Sequence, residues 1–135
     1  MEEHLQNLID GINRWRAQGI SDYWLNFSYM GPVLHHFGDH TITVVGDKAF
    51  HAWDDDWRVL AHGGDFWLFT VPGTFAWTRD ILMKVAQDPS AVTVRFDPQY
   101  GIVRGLSVKV AKRDEHNFTL DVRDFGVGKH PNFKG

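Results

Sequence analysis

The residue types best suited to chemistry are concentrated in the run His-His-Phe-Gly-Asp-His at positions 35–40. Imidazole nitrogens with a nearby carboxylate are natural ligands for zinc and other transition metals. If His36 lies in a loop and His40 opens a strand, these two imidazoles and Asp39 could meet around one ion. However, the spacing matches no zinc motif such as H-E-x-x-H on one helix face. We therefore expect solvated histidines and no bound metal or other cofactor, with a site of His36, Asp39 and His40 as the alternative.

General acid–base chemistry could use His51 or His62 with Asp65, and the same two histidines could complete the metal site. No serine has the G-x-S-x-G context of a nucleophile elbow. The three aspartates at 54–56 lack the glycine and glutamate positions of an EF-hand loop, so we predict a solvated turn there. An enzyme would therefore rest on no recognisable motif.

Aromatic residues are the other unusual feature, since the chain has six Trp, ten Phe and three Tyr. Each large ring buries about 150–250 Å². One or two short helices cannot cover both faces of a sheet, so some rings are expected on an uncovered face. Such a density of rings is most often core. The alternative is an exposed aromatic patch of Trp53 and Trp57 on the uncovered face, and since such patches mark partner or ligand sites, we take Trp53, Trp57 and Trp67 as the candidate binding residues.

Length and composition narrow the function classes. The 135 residues fit a single domain over 1–135, and the net charge of −3 gives no strong attraction to nucleic acid or to an acidic membrane. The absence of cysteine excludes disulfides, thiolate zinc sites and cysteine nucleophiles. A modest basic strip, formed by Arg104, Lys109, Lys112 and Arg113, is interpreted as a solvated sheet face and not as a nucleic-acid surface.

The N-terminus carries acidic residues where a secretory signal would carry lysines, and it has no apolar run of the needed length. No segment reaches the length of a transmembrane helix. We therefore expect no membrane insertion and a cytoplasmic location, or an exported one if a leader was removed.

The N-terminal elements follow from hydrophobic periodicity. Apolar residues at steps of three and four predict a helix over about Glu3 to Gln18, with Gly11 facing away from the apolar stripe. Alternation from Tyr23 to Tyr29 predicts a strand with one apolar face. Runs at 40–45 and 48–53, joined by Gly46-Asp47, predict a hairpin. The helical stripe consists of Leu5, Leu8, Ile9, Ile12 and Trp15.

The second half predicts more strands and one more helix. Runs at 57–61 and 66–71 favour strands, and Pro72-Gly73 is expected to end the second. Thr74 or Thr78 then caps a helix that runs to about Gln87. Three strands between Val92 and Phe125 close the chain, with turns at 97–101 and 112–117, and residues 126–135 are expected to form a loose tail.

This order of elements predicts an α+β fold, an antiparallel meander with both helices packed on one face. A cystatin-like or PepSY-like arrangement, with a helix lying across a curved sheet, is the nearest common architecture. Fold-level analogy of this kind carries no function by itself.

Five short patterns resemble the bacterial DUF6174 family, domains of unknown function often found in small exported proteins. They are Trp15, the strand at 22–29, the hairpin TITVVGDKAF at 41–50, VRFDPQYG at 94–101 and DVRDF at 121–125. The resemblance implies a small α+β domain, a binding or accessory module, and no catalytic residues.

The chain departs from the family at two points. Ile102 and Val103 stand where the family has an aromatic residue and a proline, and the residues at 1–15 do not have the pattern expected of the usual leader. From the aromatic content and the resemblance together, we expect a non-catalytic module that acts through an aromatic-rich sheet face, with a protein partner or a homodimer. The alternatives are a metal-dependent or acid–base enzyme using residues 35–40, and a purely structural dimerising protein.

Overall fold

The computed structural model describes residues 2–31, 38–46, 49–53, 67–85, 88–109 and 117–131. Within them the chain forms two α-helices and six β-strands, as the α+β prediction requires. In chain order these are α1 (Glu2–Ala17), β1 (Tyr23–Met30), β2 (Gly38–Val45), β3 (Ala49–Trp53), α2 (Val71–Lys84), β4 (Val92–Phe96), β5 (Val103–Val108) and β6 (Phe118–Val127).

The strands form one open sheet in the order β3-β2-β1-β6-β5-β4, and every neighbouring pair is antiparallel. Two three-strand meanders are therefore joined in the middle by the pairing of β1 with β6. The chain passes from β3 at one edge to β4 at the other through the segment that contains α2. Both helices contribute to a single core against one face of this sheet, which we call the covered face.

Helix α1 agrees with the sequence prediction. Glu2 and Glu3 lie in its first turn and Arg14 and Arg16 in its last, so these charges interact favourably with the helix dipole and stabilise the helix. Gly19, with a φ of 60°, turns the chain beyond its end. Leu8 and Trp15 are buried, Leu5 and Ile12 pack partly against the core, and Ile9 is half-exposed.

The prediction that Gly11 faces away from the core is wrong. A Cβ on Gly11 would lie 2.6 Å from the Gly101 carbonyl oxygen and 3.0 Å from Cδ1 of Phe96. Gly11 therefore faces the β4–β5 turn, where two backbones approach more closely than any side chain would allow.

The start of α2 also differs from the prediction. Residues Trp67–Phe69 form a 3₁₀ turn and Val71 already belongs to the helix, so the described part of the predicted strand, residues 67–71, is not a strand. Thr70, and not Thr74 or Thr78, is the N-cap, since its hydroxyl accepts from the Gly73 N–H at 3.1 Å. Proline is compatible with the first turn of a helix, where its missing N–H is not needed as a donor. Pro72 therefore lies inside the start of α2, whereas it was expected to end a strand before the helix.

Stacked aromatic rings make up much of the core between the helices and the covered face. Phe69 stacks on Phe27 with ring centres 4.0 Å apart, and Trp77 stacks on Phe118 at 4.7 Å. The Tyr23 hydroxyl accepts a 3.0 Å hydrogen bond from the Val71 N–H, which ties the start of α2 to β1. These four stacked rings are therefore used in packing between the helices and the sheet.

The predicted turn at 97–101 is present and docks α1. The Asp97 carboxylate accepts from the N–H groups of Gln99 and Tyr100 at 2.8 Å each. From α1, Arg14 donates to the Pro98 carbonyl and Gln18 donates to the Gln99 carbonyl. This turn therefore fixes the end of the helix over the β4–β5 side of the sheet.

Candidate functional site: the open face of the sheet

The face of the sheet opposite α1 and α2 is the candidate site, and we call it the open face. Along β1 the residues that alternate with the buried Tyr23, Leu25, Phe27 and Tyr29 point to it. Antiparallel register continues each position across the strands, so Trp24 lies opposite Thr43 of β2 and Gly126 of β6. The open face is therefore assembled from alternate residues of all six strands.

One half of the open face, which we call the aromatic half, lies on β1, β2, β3 and the end of β6. Trp53 lies opposite Thr41 and donates its Nε1–H to the Thr43 hydroxyl at 3.0 Å. His51 lies opposite Thr43, with its ring 6.1 Å from that of Trp53. The indole of Trp53 is thereby held on the sheet by a hydrogen bond to a neighbouring strand.

Trp24 occupies the space above a glycine. Its ring fills the position that a side chain on Gly126 would take. Gly128, with a φ of 85°, donates its N–H to the Asp22 carbonyl at 2.8 Å and turns the chain back toward the sheet. The ring of His130 then contacts Trp24 edge to face at 4.4 Å. The prediction of a loose tail over 126–135 is therefore wrong for its first part, since Gly126 and Val127 belong to β6 and His130 packs on Trp24.

The environment of His130 opposes protonation. Partial burial lowers the pKa of its imidazole below the ordinary value, and the negative charge of Asp124 offsets part of that effect. Neutral His130 is therefore favoured in the folded state, in contact with Trp24.

Two threonine hydroxyls support the aromatic half. Thr41 and Thr43 are 8% and 3% exposed although they belong to the open face. Thr41 accepts from the Asn26 side-chain amide at 3.2 Å, and Thr43 accepts from Trp53. Both hydroxyls are engaged in positioning neighbouring side chains, which is the usual condition for a buried polar group.

The other half of the open face, on β4, β5 and β6, is polar. Arg95, Gly105 and Asp121 share one row across the sheet, and Thr93, Ser107 and Thr119 share the next. The Arg95 guanidinium passes over Gly105 to reach the Asp121 carboxylate at 3.1 Å. A depression of ≈ 210 Å³ lies over these two rows. We call this region the polar half.

The three tryptophans predicted as binding residues are not brought together in the described structure. Trp53 lies on the open face, and Trp67, which is 42% exposed, lies in the 3₁₀ turn that packs on the covered face through Phe69. Trp57 lies outside the described residues. Sequence reasoning missed Trp24 as a site residue, although the alternation that placed Tyr23 in the core also placed Trp24 on the opposite face.

The residues predicted for a metal site are only partly described. His36 lies outside the described residues, and of Asp39 only the backbone is described, opposite Ser28. The ring of His40 stacks on Phe27 at 5.6 Å on the covered face. His62, Asp65 and the aspartates at 54–56 also lie outside the described residues. In the part of the chain that the structure describes, no three His, Asp or Glu residues are grouped so as to hold a metal ion.

Two further observations concern the chain as a whole. None of the described helices combines the length and the apolar character needed to cross a bilayer. Neither a protein-family model nor a curated protein matches the sequence.

Proposed function

We propose that the chain is a non-catalytic binding or accessory module that holds a protein partner, or a second copy of itself, on the aromatic half of the open face. The position of Trp53 carries this proposal. Its ring is half-buried on a face away from both helices and is fixed by the hydrogen bond to Thr43. Tryptophan is the residue type most enriched among interface hot spots, and a pre-oriented ring loses little conformational freedom on binding.

Other residues of the aromatic half add partly exposed apolar surface. Trp24 is also half-buried, and Val45, on the same face of β2, is 43% exposed. His51 is exposed beside Trp53. Aromatic and aliphatic groups bordered by polar side chains are the composition expected at the centre and rim of a protein interface.

The hydrogen bonds of the aromatic half favour binding over turnover. The Thr41 and Thr43 hydroxyls, the Asn26 amide and the Trp53 N–H form contacts that orient each other. Groups used in this way make a rigid platform, which suits recognition by shape and apolar contact.

Sedimentation velocity over a concentration series tests self-association. Wild-type protein is expected to shift from monomer to dimer as concentration rises, and Trp53→Ala is expected to remain monomeric, since a hot-spot tryptophan contributes about 2 kcal/mol or more. Trp67→Ala is the matched control, because it removes an exposed tryptophan from the opposite side of the sheet. Equal dimerisation of both variants and the wild type would exclude the aromatic half as the contact.

A monomer at every concentration removes the second copy and leaves the protein partner. A partner that binds through the aromatic half is expected to bind the wild type and Trp67→Ala with equal affinity. It is expected to bind Trp53→Ala at least about 30-fold more weakly, the factor in Kd that corresponds to about 2 kcal/mol. A partner that binds all three equally would exclude the aromatic half altogether.

We also propose membership of the DUF6174 family, which rests on the sequence patterns at Trp15, 22–29, 41–50, 94–101 and 121–125. An α+β fold is compatible with it. The alternative of an enzyme using residues 35–40 receives no support from the described contacts, because the ring of His40 packs on Phe27.

A further inference from the structure

The polar half of the open face holds a guanidinium group with unused donors. Arg95 gives one hydrogen bond, from Nη2 to Asp121, and its Nε and Nη1 groups have no acceptor among the described residues. The side chain of Arg95 is 65% exposed. Arg95 therefore presents a fixed guanidinium whose remaining donors are directed to no described protein group.

Gly105 is what makes this position possible. A Cβ on Gly105 would lie 2.7 Å from Nη2 of Arg95 and 2.8 Å from its Nε. Any larger residue at this position would displace the guanidinium from the sheet. The absence of a side chain on β5 thus lets the arginine of β4 lie across a neighbouring strand.

Three hydroxyls stand in the next row, two residues along each strand. Thr93, Ser107 and Thr119 lie side by side on β4, β5 and β6. None of them has a hydrogen-bond partner among the described residues. Adjacent strands are about 4.8 Å apart, so these hydroxyls line one side of the depression at intervals that a small ligand can bridge.

The Asp121 carboxylate contacts two guanidinium groups. Arg95 lies 3.1 Å from one of its oxygens, and the Nε of Arg123 lies 4.0 Å from the other. Asp121 therefore orients Arg95 through one charge-assisted hydrogen bond and leaves the other donors of that guanidinium unused.

From this arrangement we propose that the depression is an oxyanion-binding site, which takes a carboxylate or phosphate group between the Arg95 guanidinium and the hydroxyls of Thr93, Ser107 and Thr119. Arginine binds both groups through parallel N–H donors, and charge-assisted bonds of this kind are the stronger ones. Hydroxyl donors complete the shell of the anion. The site lies beside the aromatic half and does not depend on the partner proposed for it.

Two-dimensional NMR titrations with sodium acetate and with sodium phosphate, at constant ionic strength against sodium chloride, test the proposal. Saturable shifts of the Gly105, Ser107 and Asp121 amides are expected with one or both oxyanions and not with chloride. The tighter of the two identifies the group that the site prefers. Shifts that rise linearly in every salt would show non-specific screening and overturn the proposal.

Two substitutions make the test specific. Arg95→Gln is expected to abolish saturation, whereas Arg79→Gln, an exposed arginine on α2, is expected to leave it unchanged. Asp121→Asn keeps an acceptor for Arg95 but removes a negative charge, so oxyanion binding is expected to tighten about fivefold, the effect of one charge at about 4 Å in water. An affinity that does not change in Asp121→Asn would mean that the anion does not lie beside the Arg95–Asp121 pair, and would overturn the proposal.

Discussion

On the covered face, Phe69 stacks on Phe27 at 4.0 Å and both rings are fully buried, whereas on the open face Trp53 is half-buried and bonded to the Thr43 hydroxyl. The two faces belong to the same strands, but the helices cover only one of them. On the covered face, Phe27 and Phe69 are positioned by contact with other rings. On the open face, the hydrogen bond that Trp53 donates to Thr43 positions its ring. The comparison teaches that a hydrogen-bonded ring can keep its orientation while leaving part of its surface available.

The largest expected effect tests the covered face. Leu8→Ala should lower the free energy of unfolding by about 2–5 kcal/mol, because Leu8 is 3% exposed and its truncation leaves a cavity. Ile9→Ala is the control, since Ile9 is the next residue of α1 and is 50% exposed. Ile9→Ala should change the free energy of unfolding by about 0.5 kcal/mol or less. Urea unfolding measures both, and equal losses would mean that α1 does not pack on the sheet through Leu8.

Sequence periodicity predicted most of the covered face. A stripe at helical spacing predicted the burial of Leu8 and Trp15 in α1, although not that of Gly11, and strict alternation in β1 predicted its buried face. The same alternation contains the open face, since Trp24 follows Tyr23. The difference between the two faces is therefore readable from a single strand once one side is known to be covered.

Two features could not be read from local sequence. The run Trp-Leu-Phe-Thr-Val at 67–71 has the composition of a strand, but Thr70 forms a cap and Pro72 suits the first helical turn, so tertiary contacts of Phe69 and Val71 decide the outcome. The pairing of β1 with β6 joins residues 89 to 104 positions apart, from Met30 with Thr119 to Tyr23 with Val127, and no local pattern encodes it. Because that pairing sets Gly126 under Trp24, the aromatic half was only partly predictable.

A middle-sized effect sharpens the claim that a hydrogen bond orients Trp53. In a double-mutant cycle of Trp53→Phe and Thr43→Val, urea unfolding should give a coupling of about 0.5–1.5 kcal/mol, the net value of one such bond. The control cycle pairs Trp53→Phe with Thr41→Val. Thr41 lies opposite Trp53 in register but accepts its hydrogen bond from Asn26, so its coupling should be smaller. The same coupling in both cycles would show that only packing positions the indole.

The smallest expected effect concerns the edge of the aromatic half, where His130 meets Trp24. Burial lowers the folded-state pKa of His130, so the unfolded chain takes up a proton first as pH falls through the ordinary value near 6.5. The stability that this contact contributes is therefore complete above that pH and decreases below it until the folded state is protonated as well. Thermal unfolding of the wild type and of His130→Gln between pH 8 and pH 5 should show that the stability advantage of the wild type decreases as the pH falls. A wild-type advantage that grows in acid would mean that charged His130 is the form that binds Trp24 and would reverse the assigned role of burial.

The same histidine offers a second measurement. Because Asp124 raises the pKa of His130, Asp124→Asn should move the NMR titration midpoint of His130 further down. A midpoint that rises in Asp124→Asn would contradict the role assigned to the Asp124 charge.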